Sequence, residues 1–310
     1  MDYFSPTPHP VTNFELEPGA TIAVIAPGGA IRPEKLELGI ALLKEWGFLV
    51  KEGGGLRKRH QYFAGQTIER SADLNWALSD KSVDAVWLAR GGYGTAHCLP
   101  AILDCAAQPG RPIVGSSDGT ALFSALVSLG YHRLIHGPVL ETLKNSTDEK
   151  SRAALKQLLS RGRLPELSGR YFCGPRKDIT GRLIGGNLAV LTSLIGTKWL
   201  PSPNETILML EDINEPAYKI DRYLTQLEMA GFLTNVSAIA LGQLINCQPG
   251  GEESYTLSQM LLNRLEPLNI PVFFDFPFGH GKKNMPWLFG EVYNLENGRL
   301  IHVAHNPILG

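Results

Sequence analysis

Gly115-Ser116-Ser117-Asp118-Gly119 sets a serine between two glycines, directly after the apolar run Pro112-Ile113-Val114 and before the helix-like residues 120–126. Strand, G-x-S-x-G, helix is the layout of a nucleophile elbow. The turn is tight, and glycines on either side of Ser117 avoid Cβ clashes with the neighbouring backbone. The hydroxyl then stands at the carboxyl end of a strand, beside the free N–H groups of a helix start, which can stabilise an oxyanion. The pattern points to a serine nucleophile.

A serine hydroxyl needs a base, most often a histidine oriented by a carboxylate. Eight histidines compete. His9 lies in a Pro-rich tail, and His60 and His132 lie in polar loops or at element starts, all of which read as surface positions. His97 and His136 read as wall residues of a cleft. His302 and His305 are three apart on a strand-like segment and would face opposite sides, so a zinc site is not expected. His280 differs from these. In Phe278-Gly279-His280-Gly281-Lys282 it follows a strand, and its flanking glycines permit a sharply turned, exposed loop that reaches into a cleft. The carboxylate candidates lie in Leu210-Glu211-Asp212-Ile213-Asn214-Glu215. Glu211 ends a strand, whereas Asp212 and Glu215 can instead cap the helix that follows. The chain order Ser117, Glu211, His280 matches the Ser…Asp/Glu…His order of α/β-hydrolases, although unrelated folds use every order.

The elements around these residues alternate. Residues 21–26, 48–50, 83–89 and 112–114 read as strands, and residues 33–46, 71–78, 120–126 and 148–160 as helices. Such alternation predicts an α/β fold with a parallel sheet, helices on both faces, and ligands beyond the carboxyl strand ends. Both Ser117 and the loop Arg90-Gly91-Gly92-Tyr93-Gly94 fall there. Residues 161–178 carry scattered Gly, Pro and Arg and read as a linker. Beyond it, residues 206–210, 236–241 and 270–274 read as strands and 218–229 and 255–265 as helices. Residues 288–303 read as a hairpin turning at Glu296-Asn297-Gly298.

The chain has 310 residues, room for two domains, and 44% hydrophobic against 19% charged residues suits a soluble globular protein. A net charge of −1 without a basic stripe gives a nucleic-acid partner no support; the short cluster Arg57-Lys58-Arg59-His60 reads as a solvated loop. Cys98, Cys105, Cys173 and Cys247 are widely spaced, as in a reduced cytoplasmic protein. The start lacks a secretory pattern, and no apolar run is long enough for a membrane span.

Five separated blocks together resemble the LD-carboxypeptidases, serine peptidases that recycle cell-wall peptides in bacteria. They are residues 89–94 (ARGGYG), 115–120 (GSSDGT), 185–188 (GGNL) continuing to Trp199-Leu200-Pro201, 210–215 (LEDINE) with Ile220-Asp221-Arg222, and 278–280 (FGH). The family usually has a bulky residue before its nucleophile; Ser116 stands there. The resemblance implies an N-terminal parallel-sheet α/β sandwich domain (residues 1–160) bearing the nucleophile. After the linker (161–178) it implies a smaller β-rich C-terminal domain (179–310) bearing the acid and the histidine. It further implies Ser117 as nucleophile, His280 as base, Glu211 as its orienter, and backbone N–H groups of Gly92 and Asp118 as the oxyanion hole. No cofactor and no metal are implied. The implied setting is a cytoplasmic homodimer acting on murein tetrapeptide, releasing terminal D-alanine in peptidoglycan recycling. A related branch, of the microcin C immunity type, cuts peptidyl or aminoacyl sulphamoyl adenylates and is expected to carry an aromatic-bearing loop that stacks the adenine; no such insertion is evident between Gly137 and Gly186, and Trp199 and Trp287 are unassigned. A third reading, a non-catalytic nucleotide-binding module on the glycine loops at Gly28-Gly29 and residues 91–94, fits neither G-x-G-x-x-G nor the P-loop pattern. Arg90 and Arg222 are candidates by charge for holding a substrate carboxylate.

Overall fold

The computed structural model describes residues 15–104, 108–249 and 255–303. In the first half, β1 (Thr21–Ile25), α1 (Pro33–Glu45), β2 (Leu49–Glu52), α2 (Thr67–Ser79) and β3 (Ala85–Leu88) alternate. A 3₁₀ segment (Thr95–Asp104) precedes β4 (Ile113–Gly115), α3 (Gly119–Ser128), β5 (Leu134–His136), α4 (Leu140–Leu143) and α5 (Glu149–Arg161). The predicted helix at 148–160 thus starts one residue later, because Asp148 is its N-cap and accepts from the Ser151 amide. The second half runs β6 (Leu167–Ser168), β7 (Arg170–Cys173), β8 (Ile179–Asn187), α6 (Leu188–Ser193), β9 (Thr206–Ile213) and α7 (Ala217–Met229). It ends with β10 (Val236–Ile245), α8 (Leu257–Leu265), β11 (Val272–Phe274), β12 (Trp287–Phe289), β13 (Val292–Glu296) and β14 (Arg299–His302).

The first sheet has the order β12-β5-β4-β3-β1-β2, parallel except for β12. Its central strands are short and apolar throughout, as expected of strands covered on both faces: every residue of β3 and β4 is buried. Strand order reverses between β1 and β3, so the loops leaving their carboxyl ends part there and open a crevice. The loops after β1, β3 and β4 gather at that end.

The second sheet has the order β6-β14-β13-β8-β9-β10-β11-β7. Strands β8 to β11 are parallel, while β13, β14, β6 and β7 are antiparallel to their neighbours. The expected linker is therefore corrected in part. Residues 167–173 form two edge strands, β6 on β14 and β7 on β11, so one nearly continuous segment joins both edges of the sheet. Gly169 is the joint: a Cβ there would lie 2.7 Å from the Phe274 carbonyl oxygen and 2.5 Å from the Phe276 ring. The sequence of this segment hid the strands because Ser168, Gly169 and Arg170 split its apolar residues into pieces too short to read as a run.

The expected hairpin over 288–303 is also shorter. It comprises β13 and β14, with Asn297 (φ 49°) and Gly298 (φ 81°) in the turn, the two positive φ values a type I′ turn requires. Residues 287–289 instead leave the second half and add β12 to the first sheet, Trp287 opposite His136. The fully buried Trp287 ring stacks on His136 (centroids 4.7 Å apart, 15° between planes) and on Phe289, and meets Phe278 edge-on. Among the described residues no helix is long and apolar enough to cross a membrane.

Trp287 thus joins the two halves of the molecule. Trp287→Ala is expected to lower the unfolding free energy by about 3–5 kcal/mol, the cost of emptying a buried aromatic site, while Trp287→Phe costs a fraction of that. Denaturant titration of the three proteins checks it, and a loss under about 1 kcal/mol for the alanine variant would contradict the packing argument.

Candidate active site

Ser117 follows β4 with φ at +59°, a left-handed conformation that a non-glycine residue rarely holds. The neighbouring glycines make room for it. A Cβ on Gly115 would lie 2.5 Å from Leu88 Cδ1 and one on Gly119 2.8 Å from the same atom, so the steric partner is a β3 side chain rather than backbone. A Cβ on Gly91 would meet Ser117 Cβ at 2.6 Å, so the loop after β3 can lie against Ser117 only as glycine. Ser116 is buried and lines the same cleft, but the serine that meets the histidine is Ser117.

The row is continuous. Ser117 Oγ lies 3.0 Å from His280 Nε2, and His280 Nδ1 lies 2.6 Å from Glu211 Oε2. Ser117 comes from the first sheet and Glu211 from β9 in the second; the acid expected to end a strand lies within one that runs on to Ile213. His280 sits in the loop after Phe278, where Gly279 has φ at +125° and would clash with Glu211 and Gln243 if it carried a Cβ. That loop is held at both ends: the Gly281 amide donates to Gln243 Oε1 (2.8 Å) and the Gly279 amide to Asn284 Oδ1 (3.3 Å). Burial alone would lower the His280 pKa, but the Glu211 charge and hydrogen bond, with Asp212 beyond, outweigh it and raise the pKa above the ordinary 6.5. Glu211 is fully buried, and its Oε1 has no partner among the described residues.

The other carboxylates sort themselves. Asp212 does not cap α7, which has no side-chain cap; it accepts from Asn187 Nδ2 (2.9 Å) and from the Ala189 amide (2.9 Å) at the start of α6. Burial raises its pKa, opposed by these donors. Glu215 pairs with Lys219, 3.1 Å away. Asn187 also sends its own amide to Thr120 Oγ1 (3.0 Å), one turn past Ser117, which ties the two sheets together beside the row.

Two glycine loops meet at this point. A Cβ on Gly28 would lie 2.6 Å from Asp118 Oδ2 and 3.0 Å from the Gly91 carbonyl oxygen, so the loop after β1 packs on the loop after β3 and on the elbow. These glycines serve close approach of protein to protein, not a phosphate cradle. The peptide unit joining Gly94 to Thr95 is gripped from both sides. Its carbonyl accepts from buried Arg70 Nη1 (2.8 Å), and its N–H donates to buried Asp118 Oδ2 (2.8 Å). Arg70 Nη1 also donates to the Pro27 carbonyl, and its guanidinium lies over the Phe63 ring. Burial raises the Asp118 pKa, offset by Thr95 and by the Arg70 charge. Neither the Gly92 nor the Asp118 amide donates to a described residue. Gly92 lines the cleft, and Asp118 N lies behind the Gly91 position facing Ser117.

The remaining histidines lie elsewhere. His97 is exposed and meets Tyr93 Oη at 3.2 Å. His136 is buried behind the row, where burial, together with His280, pushes its pKa down to about 4 against the opposing pull of Glu211; it is neutral at physiological pH. His60 is exposed, and no group of three or more metal-ligating side chains occurs among the described residues, which include His302. His9, His305 and Cys105 lie outside the described residues; Cys98, Cys173 and Cys247 are buried free thiols. In the basic cluster, Arg57 pairs with Glu37 and Glu52, and Lys58 with Glu69. Sequence reasoning missed Arg70, Thr120, Asn187, Gln243 and Asn284; Asn187 and Thr120 stood inside recognised blocks but carried no stated role.

The cleft at the row is about 420 Å³ and is lined by residues of both halves, from Arg90 and Gly92 to Glu141, Asn214 and His280. Residues 22–137 match the LD-carboxypeptidase N-terminal domain and residues 180–295 the LD-carboxypeptidase C-terminal domain. The chain is 35% identical to the murein tetrapeptide carboxypeptidase of Pseudomonas aeruginosa, over 90% of its own length and 94% of the relative's. It is 30% identical to the muramoyltetrapeptide carboxypeptidase from Oxalobacter formigenes, whose crystal structure superposes with a TM-score of 0.78 over 90% of this chain and 97% of that one. MccF in complex with glutamyl sulfamoyl guanosine shares the fold at 20% identity, with a TM-score of 0.82 over 95% of this chain and 99% of that one. Both domains, and relatives spanning nearly the whole chain, therefore carry the conclusion that this protein belongs to the LD-carboxypeptidase family and is a carboxypeptidase.

Proposed function

We propose that this protein hydrolyses the amide joining an L-configured centre of murein tetrapeptide to its terminal D-alanine, with Ser117, His280 and Glu211 as its catalytic triad. The observation that carries the reading is the Ser117–His280–Glu211 row, continuous across the seam of two sheets and open to a cleft. The names of the Pseudomonas and Oxalobacter relatives support the substrate. Ser117 Oγ attacks the carbonyl carbon as its proton passes to His280 Nε2, while Glu211 fixes the imidazole through Nδ1–H and stabilises the imidazolium. The unengaged amides of Gly92 and Asp118 receive the tetrahedral oxyanion. His280 then protonates the departing D-alanine nitrogen. A water, deprotonated by the same imidazole, cleaves the acyl-enzyme and frees the shortened peptide.

The cleft also speaks to the choice between a peptide and a nucleotide-bearing substrate. Apart from His280, none of its described lining residues has an aromatic ring. Trp287 is fully buried in the first sheet, and Trp199 packs against the core with Lys198 over its ring. Neither tryptophan therefore lines the cleft, which favours the tetrapeptide.

Four outcomes are expected. Ser117→Ala abolishes release of D-alanine from purified tetrapeptide, followed by mass spectrometry, while circular dichroism stays native; retained turnover would refute the nucleophile assignment. Because His280 must be neutral to accept a proton and its pKa is raised, kcat/KM falls as pH drops through a midpoint above 6.5. Glu211→Gln removes the raising charge, so it moves that midpoint downward in the pH–rate curve and lowers kcat by about 10⁴. Finally, Asp118→Ala leaves the Thr95 amide buried without its acceptor and loosens the loop that carries Gly92. Its kcat is expected to fall about 10²-fold at nearly unchanged KM, whereas Asp118→Asn, which keeps an acceptor oxygen, loses far less. Equal losses in the two variants would show that the grip on Thr95 is not what matters.

A further inference from the structure

Cleavage confined to a chain end requires recognition of the free carboxylate, since one backbone amide resembles the next. Among the described residues lining the cleft, Arg90 is the one arginine or lysine. It stands two residues past the end of β3 and directly before Gly91 and Gly92, so its backbone belongs to the loop that faces Ser117. Arg222, the other candidate by charge, packs over the Tyr218 ring on α7 and is not among the lining residues.

The Arg90 fork is held in place before any ligand arrives. Its Nε lies 3.2 Å from Glu141 Oε2, and its Nη1 donates to the Ala30 carbonyl. Glu141 is largely buried and is shared, for Arg32 Nε lies 3.1 Å from its other oxygen. One carboxylate thus serves two guanidinium groups, and the Arg32 contact to exposed Glu34, at 3.9 Å, is a solvent-screened pair that compensates little. Glu141 also lines the cleft, but both its oxygens are occupied by cations. Arg90 keeps Nη2 without a partner among the described residues and a second hydrogen on Nη1. Its side chain is 37% exposed, open enough to receive a ligand and buried enough for the contact to matter. A planar fork with two parallel N–H groups suits a carboxylate in a way that an ammonium does not.

Resting on the carboxypeptidase reading above, we propose that Arg90, braced by Glu141 and the Ala30 carbonyl, is the subsite for the free carboxylate of the terminal D-alanine and so makes the enzyme an exopeptidase. Amidating that carboxylate removes the charge that Arg90 pairs with and leaves the scissile bond unchanged. A tetrapeptide with a free terminus selects the subsite; its C-terminal amide does not.

The test compares murein tetrapeptide with the same peptide ending in D-alaninamide, on the wild type, Arg90→Gln and Arg90→Lys. The wild type is expected to prefer the free acid in kcat/KM by about 10- to 100-fold, the range for a charge-assisted contact. Arg90→Gln should erase the preference by raising KM for the acid while KM for the amide stays the same, and Arg90→Lys should fall between. An undiminished preference in Arg90→Gln, or equal losses on acid and amide, would overturn the subsite. If the wild type cleaves neither peptide, the tetrapeptide reading fails first and the subsite goes with it; if it cleaves both equally well, the subsite alone fails.

Discussion

The hydrogen bond from the Asn187 amide to the Thr120 hydroxyl is the contact on which the site depends. It spans the seam between two sheets that share no continuous hydrogen-bonded ladder at that point. On one side, Thr120 lies in the first turn of α3, which begins two residues after Ser117. On the other, Asn187 holds Asp212, the residue next to Glu211. Ser117 and Glu211 are therefore linked by a second route behind the reacting one, through short side chains with few rotamers. Gly186 makes the approach possible, since a Cβ there would lie 2.6 Å from Thr120 Oγ1. β12 reinforces the seam a strand away, setting Trp287 against His136 and against Phe278, two residues before His280. The proposed triad, assembled from two sheets, needs such bracing, because a displacement of about 1 Å can cost a hundredfold in rate.

The Ser117 side of the cleft uses charge where the seam uses packing. A buried arginine and a buried aspartate do not touch each other but hold opposite ends of one peptide group, Gly94–Thr95. Each charge is offset by hydrogen bonds and by the other's field, and the peptide dipole lies along that field. The arrangement restrains a glycine loop that would otherwise be free to move, because Gly92 and Gly94 both adopt positive φ and have no side chains of their own to anchor them. Glycine is required for contact with Ser117, and Arg70 and Asp118 supply the rigidity that glycine lacks.

What could be read from the sequence and what could not follow the same division. The elbow, the loop histidine and the strand-end acid were legible because each imposes a local pattern: symmetric glycines, a glycine-flanked turn, an apolar run closing on a carboxylate. The central strands β1, β3 and β9 were legible as short buried apolar runs. Strand β8 was not seen, because Gly181, Gly185 and Gly186 read as a loop; each is there to admit neighbouring backbone or side-chain atoms, a tertiary demand without local signature. β12 was folded into a hairpin because a three-residue apolar strand does not announce which sheet it joins. Arg70 was invisible in a different way. It fell one residue before the helix read at 71–78, and only the fold places it within α2, almost fully buried beneath the glycine loops.

The electrostatics of the row follow from the contrast between two adjacent carboxylates. Asp212 is satisfied by donors from Asn187, Ala189 and Ile213, and its charge is spread over them. Glu211, equally buried, has His280 as its one hydrogen-bond partner among the described residues and leaves Oε1 unpaired. On the proposed mechanism, His280 takes the serine proton and becomes a cation 2.6 Å from Glu211 Oε2, in surroundings of low dielectric. The interaction is then far stronger than with the neutral ring, so the gain appears as the transition state is approached. An interaction that strengthens only there raises the rate instead of merely tightening substrate binding.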